Sequence, residues 1–125
     1  MFVQEQVPPG LELIVGGVWD PQLGSAVMAG LGGVWVEIMK DLVFGYPPIG
    51  KAEALDLITG LRSEPLLAGY RGKPRVNREA LAELIARIGA LLLALPEISE
   101  IDLNPVIYDP ARDAFIAADA RIRKG

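Results

Sequence analysis

The residues whose types and spacing could do chemistry lie in Asp102-Leu103-Asn104 and, further on, at Asp119. The segment from Glu100 to Tyr108 reads as a strand, Asp109-Pro110-Ala111-Arg112-Asp113 as a turn, and Ala114 to Ile122 as the return strand. Alternation along the first strand puts Asp102 and Asn104 on one face and Ile101 and Leu103 on the other. Folding about Ala111 brings Asp119 nearly opposite Asn104, within a residue of register. Pro105 has no N–H to give to the ladder, so a bulge that settles the register belongs there. One face would then present two carboxylates and an amide oxygen side by side. These are hard donors of the kind Mg²⁺ takes while keeping water and phosphate oxygens in the rest of its shell. The plainer reading, polar residues at a strand end making turn and cap hydrogen bonds, stays open.

Three other places carry weaker signals. Gly30-Leu31-Gly32-Gly33 has the composition of a loop that lets a backbone approach a phosphate, and equally that of a tight turn between strands. No helix is expected to follow it, so neither a P-loop nor a dinucleotide fingerprint applies. Arg71 stands between glycines, with Lys73 nearby. It has the reach to clamp a phosphate or carboxylate, or to sit on the surface of a turn. Glu37 shares a strand face with Trp35, either as a pocket acid or as an exposed neighbour of a packed indole.

The elements that must position these residues can be read from periodicity. Leu11 to Trp19 and Ala26 to Ala29 read as strands, with Gly30 to Gly33 as the connection to a third, Val34 to Lys40, that alternates cleanly. Gly45-Tyr46-Pro47-Pro48 breaks the pattern. A helix is expected from about Lys51 to Arg62, then a loop from Leu66 to Pro74. The strongest helical period runs from Arg78 to Leu95, with Asn77 as N-cap and Pro96 as the stop. The order predicts one α+β domain over residues 1–125, a mostly antiparallel sheet with two helices packed on one face.

Composition narrows the chemistry. Of 125 residues, 51% are apolar and 22% charged, a globular balance, and the net charge is −4. No basic stripe marks a nucleic-acid interface. There is neither cysteine nor histidine. That excludes disulfides, thiolate zinc sites, cysteine nucleophiles, Ser-His-Asp triads and any phosphohistidine carried by this chain. Met1-Phe2-Val3-Gln4-Glu5 does not read as a signal peptide, and the apolar run Ile88 to Leu95 is too short to span a bilayer. The expectation is a cytoplasmic chain without membrane contact.

Read together, several segments resemble a family. Leu11-Glu12-Leu13-Ile14-Val15-Gly16, Trp19-Asp20-Pro21, Gly30-Leu31-Gly32-Gly33-Val34-Trp35-Val36-Glu37, Gly69-Tyr70-Arg71-Gly72, Glu100-Ile101-Asp102-Leu103-Asn104-Pro105 and Asp119-Ala120-Arg121-Ile122 occur in an order similar to the ATP-grasp region of NDP-forming acyl-CoA synthetases. That family includes ADP-forming acetyl-CoA synthetase and, more distantly, the β subunit of succinyl-CoA synthetase. The resemblance implies the C-terminal subdomain of an ATP-grasp fold, with ATP or ADP and Mg²⁺ as cofactors. It makes Asn104 and Asp119 the metal ligands, with Asp102 beside them. Val3 to Val7 looks like the hinge strand that meets the adenine, so Gln4, Glu5 and Val7, together with Glu12, are the implied nucleotide contacts. Glu37 and Arg71 are candidate catalytic residues at the phosphate end. The resemblance further implies that the chain is a piece of a longer protein whose partners are its own CoA-ligase domains. On its own the chain would then be inactive, and a homodimer is open to it. Two other readings stand beside this one: a regulatory synthetase-like domain of a protein acetyltransferase, and a non-catalytic interaction module that uses its apolar second helix or an edge strand.

Overall fold

A computed structural model describes residues 12–20, 24–31, 42–62, 64–68 and 75–124. Among them run β1 (Glu12–Asp20), β2 (Gly24–Leu31), β3 (Leu42–Gly45), α1 (Lys51–Thr59), a 3-10 turn (Glu64–Ala68), α2 (Arg78–Ala94), β4 (Ile98–Asp109), β5 (Ala114–Ala117) and β6 (Ala120–Lys124). The strands form one antiparallel sheet in the order β3-β2-β1-β4-β5, and β6 also pairs with β4. This is the α+β arrangement expected from the sequence. Among the described residues no helix is long and apolar enough to cross a membrane.

Both helices pack on one face of the sheet. Leu13 and Val15 of β1, Val27 and Ala29 of β2, and Ile101, Val106 and Tyr108 of β4 meet Ile58 of α1 and Leu81, Ile85, Ile88 and Leu92 of α2 in a single core. Each Val, Leu or Ile side chain among these contributes about 1.5–3 kcal/mol when fully buried. Asn77 caps α2 as its type predicts, its Oδ1 accepting the Ala80 N–H at 3.0 Å. α2 ends at Ala94, just before Pro96.

Some boundaries differ from the expectation. The first helix ends at Thr59 rather than Arg62, because Gly60 favours termination and the Gly60 and Leu61 N–H groups turn to the Leu57 and Ile58 carbonyls. Part of the expected loop after it is a 3-10 turn. Gly30 and Leu31 are strand, not connection: Gly30 pairs with Ile14 on one side and Leu42 on the other, and Leu31 pairs with Leu13. The return strand is broken at Ala118 and Asp119, where the Asp119 Oδ1 accepts the N–H of Ala120 at 2.9 Å, a local bond that competes with the ladder. The expected strand Val34 to Lys40 lies outside the described residues.

Candidate functional site

The helices cover one face of the sheet, and alternation places the candidate residues on the other. On β4, Ile101 and Leu103 point to the core, so Asp102 and Asn104 point away from it. On β1 the same holds for Glu12, Ile14 and Gly16, which alternate with Leu13, Val15 and the helix-facing Gly17.

Register decides which of these residues meet. Asp102 lies between Gly16 of β1 and Arg121 of β6. The N–H of Asn104 donates to the carbonyl oxygen of Asp119 at 3.2 Å, and the N–H of Ala118 to that of Pro105 at 2.9 Å. Asn104 and Asp119 are therefore directly opposite, one residue from the register that a turn centred on Ala111 gives. Their Cα atoms stand about 4.5–5.5 Å apart in such a pair. Glu12 is opposite Ile107 on the same face. It lies about 7 Å along β1 from the rung of Asn104, and about 13 Å from that of Asp102.

A bulge is present at Asn104-Pro105, but it faces β1 and not the hairpin. Leu13 pairs with Val106 and Val15 with Leu103, so the two residues Asn104 and Pro105 oppose Ile14 alone. The pairing of β4 with β5 and β6 keeps one register across the same point, from Leu103 opposite Ala120 to Val106 opposite Ala117. The extra residue lets Leu103 and Val106, three apart, both face the core while Asn104 stays on the other face.

The donors fit a small divalent cation. Asn104 and Asp119 are exposed and Asp102 is half-buried, so an ion here would keep open positions for water and phosphate. Among the described residues no three acidic side chains converge as a metal cage. Mg²⁺ does not require such a cage, since it commonly takes one or two carboxylates and keeps water and phosphate oxygens. The floor beside Asp102 is bare, since Gly16 has no side chain and a Cβ built there would stand 2.6 Å from the Ile101 carbonyl oxygen. Next to Asp102 a shallow groove of ≈ 650 Å³ follows β6, lined by Glu100, Asp102, Arg121, Arg123 and Lys124 among others.

Sequence reasoning met Gly16 and Arg121 within the quoted motifs but gave neither a role. Alternation from Asp119 reaches Arg121, but the acid it faces is a matter of register. Gln4, Glu5, Val7, Glu37 and Arg71 lie outside the described residues.

The other end of the hairpin is tied to α2. Asp113, with φ +50°, accepts hydrogen bonds from the Tyr108 hydroxyl and from Asn77 Nδ2, the latter at 3.2 Å to each oxygen. The Tyr108 phenol is raised above its ordinary pKa, chiefly by that hydrogen bond, then by desolvation and the charges of Asp113 and Asp109. Tyr108 also packs on Phe115, ring centres 5.2 Å apart.

Comparison with known proteins gives this geometry a family. The profile of the ATP-grasp domain matches residues 1–123. The chain belongs to the ATP-grasp family. It is 50% identical, over 98% of its length, to the β subunit of acetate–CoA ligase [ADP-forming] I of Pyrococcus furiosus, and covers 52% of that subunit. It is 37% identical to the 4-hydroxybutyrate–CoA ligase [ADP-forming] of Nitrosopumilus maritimus, covering 98% of this chain and 18% of that one. Among solved structures, the apo form of Ca. Korarchaeum cryptofilum dinucleotide-forming acetyl-CoA synthetase 1 superposes with a TM-score of 0.91 at 42% identity, over 98% of this chain and 57% of that one. The same synthetase with coenzyme A and Mg-AMPPCP superposes with a TM-score of 0.88 at 41% identity, over 95% of this chain and 55% of that one. This ATP-grasp chain thus spans about half the length of the Pyrococcus subunit and less than a fifth of the longer ligase.

Proposed function

We propose that this chain supplies the Mg²⁺–nucleotide wall of an ADP-forming acyl-CoA synthetase, which joins an acid to coenzyme A as ATP becomes ADP and phosphate. The observation that carries the reading is the pairing of Asn104 with Asp119 on the face opposite the two described helices, beside Asp102 and in line with Glu12. The likeness to ADP-forming ligases and synthetases supports this reading over a regulatory or purely structural one.

In this reading the Asp119 carboxylate and the Asn104 amide oxygen hold the cation, and Asp102 adds negative charge beside it. Mg²⁺, when bound, neutralises charge on the terminal phosphates during transfer. Glu12, further along β1, orients the nucleoside, with Gln4, Glu5 and Val7 meeting the base. Glu37 and Arg71 act at the phosphate end. The chain has no histidine and no cysteine, so its own contribution is positioning and electrostatics. The phosphoryl acceptor and the coenzyme A site belong to the CoA-ligase domains with which it works.

The test is a titration of Mg²⁺·ADP into this chain, with backbone amides followed by NMR. Shifts are expected to cluster at Asp102, Asn104 and Asp119, and to vanish in Asn104→Ala. Absence of any localised shift at millimolar nucleotide would refute nucleotide binding by the isolated chain.

A further inference from the structure

The face opposite the two described helices carries opposite charges in rows beside the candidate metal pair, acids on β4 and cations on β6. Glu100 faces Arg123 and Asp102 faces Arg121. The rungs behave differently. Arg123 Nη1 reaches Glu100 Oε2 at 3.8 Å. For Asp102 and Arg121, paired in register, no contact within ion-pair distance is formed, and Arg121 is exposed. Arg121 is two residues from Asp119, so alternation puts both on the same face. The groove along β6 collects Arg121, Arg123 and Lys124 on one side and Glu100 and Asp102 on the other. A free anion there would meet two carboxylates, and a free cation would meet three basic groups. A cation carrying phosphate satisfies both rows: the acids take the cation, and the guanidinium takes phosphate oxygens, for which its fork of N–H donors is shaped.

We infer that Arg121 is a phosphate-binding residue of this site, contacting the terminal phosphate of a metal-bound diphosphate or triphosphate, with Arg123 and Lys124 adding long-range attraction. The inference rests on the Mg²⁺–nucleotide reading and adds a ligand group to it. It also accounts for a cation on the edge strand next to the metal pair, where a residue chosen only to discourage strand addition could stand anywhere along β6.

Two readouts on the same chain separate this inference from the reading beneath it. Mn²⁺ alone, followed by paramagnetic broadening, reports the metal pair. Mg²⁺·pyrophosphate, followed by shifts of the β6 amides and the arginine Nε–H signals, reports Arg121. Arg121→Gln is compared with Arg87→Gln, an equal loss of charge on α2, where Arg87 pairs with Glu83 at 2.7 Å away from this face. Expected are broadening at Asn104 and Asp119 in all three proteins, and an affinity for Mg²⁺·pyrophosphate about fivefold weaker in Arg121→Gln only. Retained Mn²⁺ broadening with equal pyrophosphate affinity in both variants overturns the role of Arg121 and leaves the metal reading intact. Mn²⁺ broadening that spares Asn104 and Asp119 overturns the metal reading and this inference with it. Shifts spread evenly over all basic residues identify nonspecific anion binding and also overturn the inference.

Discussion

Replacing Gly17 by alanine should destabilise the domain through one side chain on another element. Gly16 and Gly17 are empty in opposite directions: Gly16 leaves the floor of the candidate site bare, and Gly17 lets α2 settle on β1. A Cβ at position 17 would stand 2.4 Å from Leu92 Cδ1, 3.2 Å from Leu92 Cγ and 3.4 Å from the Ala26 carbonyl oxygen. Carbon atoms rest about 3.5–4.0 Å apart, so Leu92 must retreat by roughly an ångström or more. Leu92 is only 3% exposed, within the main core, and cannot swing into solvent. Overpacking of this kind costs about 1–3 kcal/mol. Leu92→Ala alone should cost about 2–5 kcal/mol, through lost burial and the cavity it leaves. In the double variant the alanine methyl occupies part of that cavity and the clash is gone. The double variant should therefore lose less than the sum of the singles by about 1–3 kcal/mol, an interaction energy usual for residues in contact. Urea unfolding of the four proteins, with a common m value, measures the cycle. Equal costs for Gly17→Ala in the two backgrounds would refute the reasoning, because the penalty would then come from the strand backbone and not from Leu92.

The remaining predictions concern the link between the hairpin and α2. Asn77→Ala removes both the cap on Ala80 and the donor to Asp113, and should cost more than the ~1 kcal/mol of a cap alone; Asn77→Ser, which keeps a cap, should recover part of the loss in thermal unfolding. Tyr108→Phe should destabilise the domain near neutral pH by removing the bond to Asp113. The folded phenol pKa is raised, so this contribution is complete below the unfolded value of about 10 and is lost as pH rises through the folded value. The gap between wild type and Tyr108→Phe in urea midpoint should accordingly narrow on going above about pH 10, and a gap that stays constant would contradict the sign.

What could be read without coordinates was set by short-range rules. The 3.6-residue period of Leu81, Leu84, Ile85, Ile88 and Leu92, with Asn77 before it and Pro96 after it, was enough for α2, because helix and caps depend on neighbours in sequence. The hairpin was legible for the same reason. Its turn lies between its strands, so counting about Ala111 brings Asn104 to within one residue of Asp119, and the backbone hydrogen bond between the two fixes the register. The motifs carried the family as well, and the ATP-grasp match over residues 1–123 agrees with it.

The sequence alone determined the types of the donors, the alternation that puts them on one side, and the hairpin that pairs two of them. Tertiary structure decided what lies next to that pair. β1 and β4 are paired although β2, β3 and both described helices separate them in sequence, so the neighbours Gly16 and Glu12, and the bulge turned toward β1 rather than toward the hairpin, are non-local facts that no local count reaches. The break between β5 and β6 depends on a choice between a ladder bond and the Asp119 side chain, a difference in hydrogen-bond partner that composition does not encode. Leu103, partly buried, and Val106, fully buried, face the same core although they lie three residues apart, and the bulge reconciles that demand with the strand's period of two. Asn104 thus stays on the face opposite the two described helices because of what the core requires of its neighbours.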